Sequence, residues 1–153
     1  MRDDILSIIR DVIVAHDEKI SLLKELLAEE HHLNSVLMIE FDNEPLIVMD
    51  SQNNLINSIN LQDFRIAELE EKFHKKTGIQ LTSSADGLCS EDYDRIREVD
   101  KRRKQEKKIL TDIMNLRNKN VLIMEKIKSA TLKDADELKK IMELDPDYSD
   151  DAE

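Results

Sequence analysis

Residues 94–142 read DRIREVDKRRKQEKKILTDIMNLRNKNVLIMEKIKSATLKDADELKKIM. Mostly apolar side chains recur through this stretch in alternating steps of three and four, the spacing of a helix face that packs on other long helices. They are Ile96, Val99, Leu110, Ile113, Asn120, Met124, Ile127, Thr131, Leu138 and Met142. The pattern predicts one long helix of a bundle, in which Asn120 fixes the register at some cost in stability.

Two further helices precede this one. Apolar residues at helical spacing predict a first helix over about 4–41 and a second over about 43–76. Asp42 is a suitable cap for the second helix, and Pro45 is tolerated in its first turn. Gly78 is expected to end that helix in a left-handed conformation. The residues from Ile79 to Cys89 lose the periodicity and are expected to form a mobile loop before the third helix starts.

The fold class is therefore all-α, an elongated antiparallel helical hairpin or three-helix coiled-coil bundle. The expected organisation is a long-helix bundle over 1–128, with its third helix at about 90–128, an amphipathic C-terminal helix over 129–144 and a disordered acidic tail over 145–153. Whether the third helix continues through Thr131 or restarts there stays open at this point.

The last part of the third helix is expected to extend beyond its partners. If this helix folds back along the second with Phe73 opposite about Asp94, then Pro45 lies opposite about Leu122. The apolar residues beyond that point keep the helical phase without a partner in their own chain. They are expected to pack on another protein, to self-associate or to fold back over the bundle.

Composition excludes several classes of function. The net charge of −11 and the sequence pI of about 4.9 argue against a nucleic-acid-binding protein. A basic run over 101–108 is interpreted as a solvated face matched by acidic residues such as Asp17, Glu18 and Glu25. A single cysteine and the lack of a long apolar stretch predict a soluble, cytoplasmic protein.

The sequence patterns that could indicate metal ligands or catalytic groups are weak. Two Glu-x-x-His matches, Glu29 with His32 and Glu71 with His74, have the spacing of di-iron bundle ligands. Hairpin geometry places the two matches about 27 Å apart at 1.5 Å per residue, too far to share metals. His16 falls on the apolar seam and is interpreted as a packed polar residue. We predict no enzyme, no metal and no cofactor.

One further pattern lies on the second helix. The asparagines Asn53, Asn57 and Asn60 form a stripe roughly opposite the apolar seam of that helix. The stripe is interpreted as a solvated face.

The order of these parts resembles the FlgN-type flagellar export chaperones. The resemblance covers about Ile20 to Met142 and rests on Leu22, Leu23, Leu26, Glu29 and Glu30, on Asp42, Glu44 and Leu46, on Leu55, Ile59, Arg65 and Leu69, and on Leu116, Asn120, Ile123 and Met124. It implies a cytosolic chaperone that binds the C-terminal helical region of hook-associated junction proteins and delivers it to the type III export gate. It also implies that the C-terminal part binds the partner, through Met124, Ile127, Leu132, Ala135, Leu138, Ile141 and Met142.

The main alternative is a non-enzymatic coiled-coil adaptor or a homodimer that buries the same apolar stripe against itself.

Overall fold

The computed structural model describes residues 2–38, 44–81 and 90–144. These residues form three α-helices, α1 (Arg2–Leu37), α2 (Glu44–Thr77) and α3 (Ser90–Leu144), and contain no strand. The chain is all-α as expected. The predicted cap Asp42, most of the predicted loop (82–89) and the acidic tail (145–153) lie outside the described residues.

The helix ends follow local chemistry. Asp3 and Asp4 stand in the first turn of α1, where negative charge stabilises the helix dipole. At the end of α2, Gly78 has a φ of 72° and its N–H donates to the carbonyl of His74 at 2.7 Å. This left-handed glycine cap was predicted from the sequence, and the structure confirms it.

Helix α1 is the central element of the bundle. It packs antiparallel to α2, as shown by ion pairs from Lys76 to Asp4 at 3.4 Å and from Lys19 to Asp63. It packs parallel to α3, because Arg102 donates to Asp17 at 2.8 Å and Asn120 donates to the carbonyl of Glu30 at 3.0 Å. Over the described residues, α2 and α3 have no pair of Cα atoms within 8 Å. They meet through side chains alone.

Three apolar clusters follow one another along the bundle. The first contains Ile8, Ile9, Val12, Phe73, Leu81 and Val99. The second contains Ile20, Leu23, Leu26, Ile59, Ile109 and Ile113. The third contains Leu33, Leu37 and Val48, with Ile123, Met124 and Ile127 packed against it. Each joins all three helices, so each contributes to holding α2 and α3 against α1.

Buried polar residues lie between these clusters. His16 and Glu106 are hydrogen-bonded to each other between the first and second clusters. Glu30 and Asn120 occupy the level between the second and third clusters, and both are fully buried. A shift of one helix along another would separate these groups and leave charge buried without a partner. The two polar levels therefore favour one register.

The register differs from the sequence expectation. Arg103 pairs with Glu70, and Met124 lies at the level of Val48. Each α2 residue therefore faces an α3 residue about five positions later in the sequence than expected. Leu122 is consequently not the last residue beside the hairpin, because packing continues to Ile127.

Two smaller expectations are also corrected. Ile109 is buried, whereas Leu110 is exposed, so the α3 seam passes through Ile109. Leu81, expected in a mobile loop, is 3% exposed within the first cluster, and Ile79 packs against the same cluster. The chain is thus tied to the core just after α2.

Along the described residues, no helix combines the length and apolar character needed to cross a membrane.

Candidate partner-binding site

Helix α3 is much longer than the other two. Its 55 residues span about 82 Å at 1.5 Å per residue, against about 54 Å for the 36 residues of α1. The last α3 side chain packed on the bundle is Ile127, and every described side chain from Lys128 to Glu143 is exposed. We call residues 128–143 the projecting segment. It extends about 24 Å beyond the bundle.

The sequence explains why the helix does not stop at the bundle end. There is no glycine or proline between Ser90 and Leu144. At Thr131, where the sequence left a restart open, the side-chain hydroxyl donates to the carbonyl of Ile127 at 2.9 Å and the helix continues. Residues 129–144 are therefore part of α3.

The seven residues expected to bind a partner fall into two groups. Met124 and Ile127 are half-buried against the third apolar cluster. The other five are exposed on the projecting segment: Leu132, Ala135, Leu138, Ile141 and Met142. The four large side chains among them are between 44% and 61% exposed. The structure thus places five of the seven beyond the bundle.

Four of the five exposed residues form one broad stripe. At 100° per residue, Met142 and Ala135 lie about 40–60° to one side of Leu138, and Ile141 lies about 60° to the other side. Leu132 lies roughly 120° from Leu138 and about 180° from Ile141, so it stands outside this stripe. The stripe continues the face by which α3 packs on its own bundle, because Met124 and Ile127 share its phase.

Charged side chains lie within and beside the stripe. Asp134 lies about 40° from Leu138, between Leu138 and Ile141, and Glu137 lies about 100° from Leu138 on the same side. Lys128 and Lys139 lie about 80–100° to the other side, where Glu143 also stands at about 140°. A helix packed on the stripe would therefore meet acidic side chains on the Ile141 side and charges of both signs on the other.

The bundle limits how a helix can approach. The stripe faces the direction in which α1 and α2 lie, so a helix laid along it and continued past Lys128 would collide with them. A partner helix must end or begin near the bundle end, where Met38 is 73% exposed. The same reasoning excludes a parallel, in-register pair of projecting segments, because the second α3 would run through the first bundle.

The candidate metal ligands are not gathered into a site. Within the described ranges there is no group of three or more His, Cys, Asp or Glu side chains able to hold a metal ion. Glu71 is 3.5 Å from Lys75, one turn along the same helix. His16 is 3% exposed and bonded to Glu106, which confirms that it is a packed polar residue. Cys89 lies outside the described residues.

The basic run is matched by acidic residues within the chain. Arg102 donates to Asp17 at 2.8 Å, and this hydrogen bond raises the pKa of the guanidinium. Arg103 pairs with Glu70 on α2. The expected matching by acidic residues of α1 is confirmed for Arg102, whereas Arg103 pairs with an acidic residue of α2 that was not expected. Glu18 was also expected to match the charge of the basic run, but its carboxylate lies 3.5 Å from Arg65 on α2.

Sequence reasoning missed two buried carboxylates. Glu30 is fully buried and Glu106 is 5% exposed. Both stand at seam positions, since Glu30 lies four residues after Leu26 and Glu106 lies seven residues after Val99. The spacing of these two residues therefore indicated that they are buried, but charged residues are usually assigned to the surface.

No protein-family model, no curated protein and no solved structure matches the chain.

Proposed function

We propose that this protein is a non-enzymatic helical chaperone that binds an amphipathic helix of a client protein along the projecting segment of α3. The observation that carries the proposal is the continuation of α3 about 24 Å beyond its bundle, with the large apolar side chains of Leu138, Ile141 and Met142 exposed in one stripe. A helix laid on such a stripe is a recurrent mode of peptide recognition.

The strength of binding can be bounded. Fully burying each large apolar side chain contributes about 1.5–3 kcal/mol, and about half of each surface is exposed in the free protein, so the three side chains of the stripe offer roughly 2–4.5 kcal/mol. Association costs an estimated 4–15 kcal/mol or more, so the stripe alone gives weak binding. The client helix is therefore expected to contact the bundle end as well, beside Met38.

The client suggested by the FlgN resemblance is the C-terminal helical region of a hook-associated junction protein. A chain-terminal helix fits the approach described above, because only a helix that ends near the bundle can lie along the stripe. Covering the client helix would shield it from premature assembly until delivery to the type III export gate. As part of this chaperone function, we propose that the protein is cytoplasmic.

The test is a pull-down from native lysate with the full chain and with a chain that stops after Lys128, read by mass spectrometry. A hook-associated protein captured by the full chain and lost on truncation is expected. Equal capture by both chains would remove the projecting segment as the site, and capture of no export substrate would reject the chaperone role.

Alanine variants sharpen the test. Leu138→Ala and Met142→Ala remove stripe side chains without lowering helix propensity, and each is expected to weaken client binding at least fivefold. Lys140→Ala, on the opposite face of the same segment, is the matched control. Similar losses for Leu138→Ala and Lys140→Ala would mean that the apolar stripe is not the contact surface.

The alternative is self-association through the same stripe. Since the bundle blocks a parallel pair, such a dimer would have to be antiparallel. A dimer that is lost on truncation after Lys128, with no client captured, would favour this alternative.

A further inference from the structure

A second surface, on the far side of α2, has a composition unlike the rest of the chain. The 18 residues from Pro45 to Gln62 contain one charged residue, Asp50, whereas 37% of the whole chain is charged. Their exposed side chains include Leu46, Ile47 and Leu61, which are 64–70% exposed. Depletion of charge together with exposed apolar groups distinguishes interface cores from ordinary protein surface.

The exposed residues form a regular seam. Six of them follow one another in alternating steps of four and three: Leu46, Asp50, Asn53, Asn57, Asn60 and Phe64. All six are exposed, and they lie about 100–180° around α2 from the buried side chain of Ile59. We call these six residues the outer seam. The asparagine stripe interpreted above as solvated forms its centre.

We propose that the outer seam is the contact surface of a homodimer, in which α2 packs antiparallel on α2 of a second copy. In an antiparallel pair of identical helices, a seam residue on one side of the two-fold axis faces the residue of the second copy that lies equally far along the sequence on the other side. With the axis beside position 55, Leu46 faces Phe64 of the second copy, Asp50 faces Asn60, and Asn53 faces Asn57. Every pair then matches in kind, because apolar meets apolar, an amide can donate to a carboxylate, and amides can bond to each other.

The residues flanking the seam support the same register. Ile47 and Leu61 stand on one flank, and the antiparallel arrangement places each opposite the other in the second copy. The four most exposed apolar side chains described on α2, namely Leu46, Ile47, Leu61 and Phe64, thus all gain apolar partners in a single arrangement. A parallel pair would instead place Asp50 against Asp50.

Electrostatics favours self-association through this face. Two copies with a net charge of −11 each repel one another, and the repulsion is smallest where the facing surfaces lack charge. The seam is about 27 Å long, which corresponds to a small interface and a weak, concentration-dependent dimer. This dimer leaves the projecting segment free, so it does not depend on the proposed function.

The first experiment measures the mass of the full chain by sedimentation from about 5 to about 500 μM, since weak dimers form by mass action. We expect a shift from 17.8 kDa toward twice that mass. A monomer throughout this range would overturn the proposal.

Charge-swapped variants then test the surface. One chain carries Asn53→Lys and Asn57→Lys, and the other carries Asn53→Asp and Asn57→Asp. Each alone is expected to be monomeric, because like charges face each other, and a 1:1 mixture is expected to dimerise, because Lys then faces Asp. Dimerisation of either variant alone, or no dimer in the mixture, would overturn the proposal.

Two controls test whether the contact lies on α2. Ser7→Lys with Ser21→Lys adds the same charge to exposed positions of α1 and is expected to leave the dimer intact. Truncation after Lys128 is also expected to leave it intact, and loss of the dimer there would place the contact on α3 instead. Client capture is read separately, so failure of the dimer and failure of the chaperone role are distinguishable.

Discussion

Asn120 donates from its side-chain amide both to the carboxylate of Glu30, at 2.9 Å, and to the main-chain carbonyl of Glu30, at 3.0 Å, and both residues are fully buried. The side-chain oxygen of Asn120 accepts from Asn34 at 2.9 Å, while Arg117 lies 3.4 Å from the second carboxylate oxygen of Glu30. The side chain of Asn120 on α3 therefore forms hydrogen bonds with two residues of α1, Glu30 and Asn34, which lie one turn apart.

Replacing Asn120 is expected to destabilise the bundle strongly. Asn120→Leu leaves the Glu30 carboxylate without its buried donor, and the expected loss is about 2–4 kcal/mol of unfolding free energy in urea. The double variant Glu30→Leu with Asn120→Leu removes both polar groups and should recover most of that loss. Asn118→Leu, at an exposed position of the same helix, should change stability by less than about 0.5 kcal/mol. A double variant less stable than Asn120→Leu would contradict this role for the pair.

Lys19 is expected to make the free energy of unfolding depend on pH in the alkaline range. Burial alone would lower the pKa of Lys19, but its hydrogen bond to Asp63 and the charge of Glu106 raise that pKa above the ordinary value of 10.5. The contribution is therefore fully present below about pH 10.5 and is lost as the pH rises through the folded-state pKa. The free energy of unfolding of the wild type should exceed that of Lys19→Met by about 1 kcal/mol at pH 8, and the difference should vanish at strongly alkaline pH.

The exposed pair Lys75 and Glu71 provides the control for Lys19. Lys75→Met should cost less than about 0.5 kcal/mol at pH 8, since exposed ion pairs contribute little. A difference between wild type and Lys19→Met that grows with pH would show that the sign is wrong.

Two phenylalanines of α2 offer a matched comparison. Phe73 is fully buried in the first cluster, while Phe64 is 66% exposed on the outer seam. Phe73→Ala should cost about 3–5 kcal/mol, because it leaves a cavity among packed side chains. Phe64→Ala should change the stability of the monomer by no more than about 0.5 kcal/mol in denaturant unfolding at low protein concentration. Equal losses would contradict the burial assigned to the two rings.

Removal of the projecting segment should leave the bundle intact. The described side chains from Lys128 to Glu143 are exposed, so truncation after Lys128 should shift the thermal midpoint by less than about 2 °C. The far-ultraviolet signal of helix should fall by about one eighth, the share of helical residues removed. A large drop in the midpoint would mean that the segment folds back on the bundle.

Periodicity in the sequence determined the three helices, their order and most of the core. Leu23, Val99 and Phe73 stand at helical spacing, and burying them is the largest favourable term available to this chain. The left-handed cap at Gly78 also followed from the sequence, because a glycine after the last periodic residue has a local physical meaning.

Tertiary structure alone decided the register and what lies beyond the bundle. A heptad pattern repeats every seven residues and therefore permits several offsets between helices, and the pairing of Glu30 with Asn120 favours one of them only once three helices are assembled. That offset placed Met124 and Ile127 within the bundle and left Leu132 to Met142 outside it. Spacing specifies which face of a helix is apolar, but only the lengths and offsets of its neighbours determine how much of that face is covered.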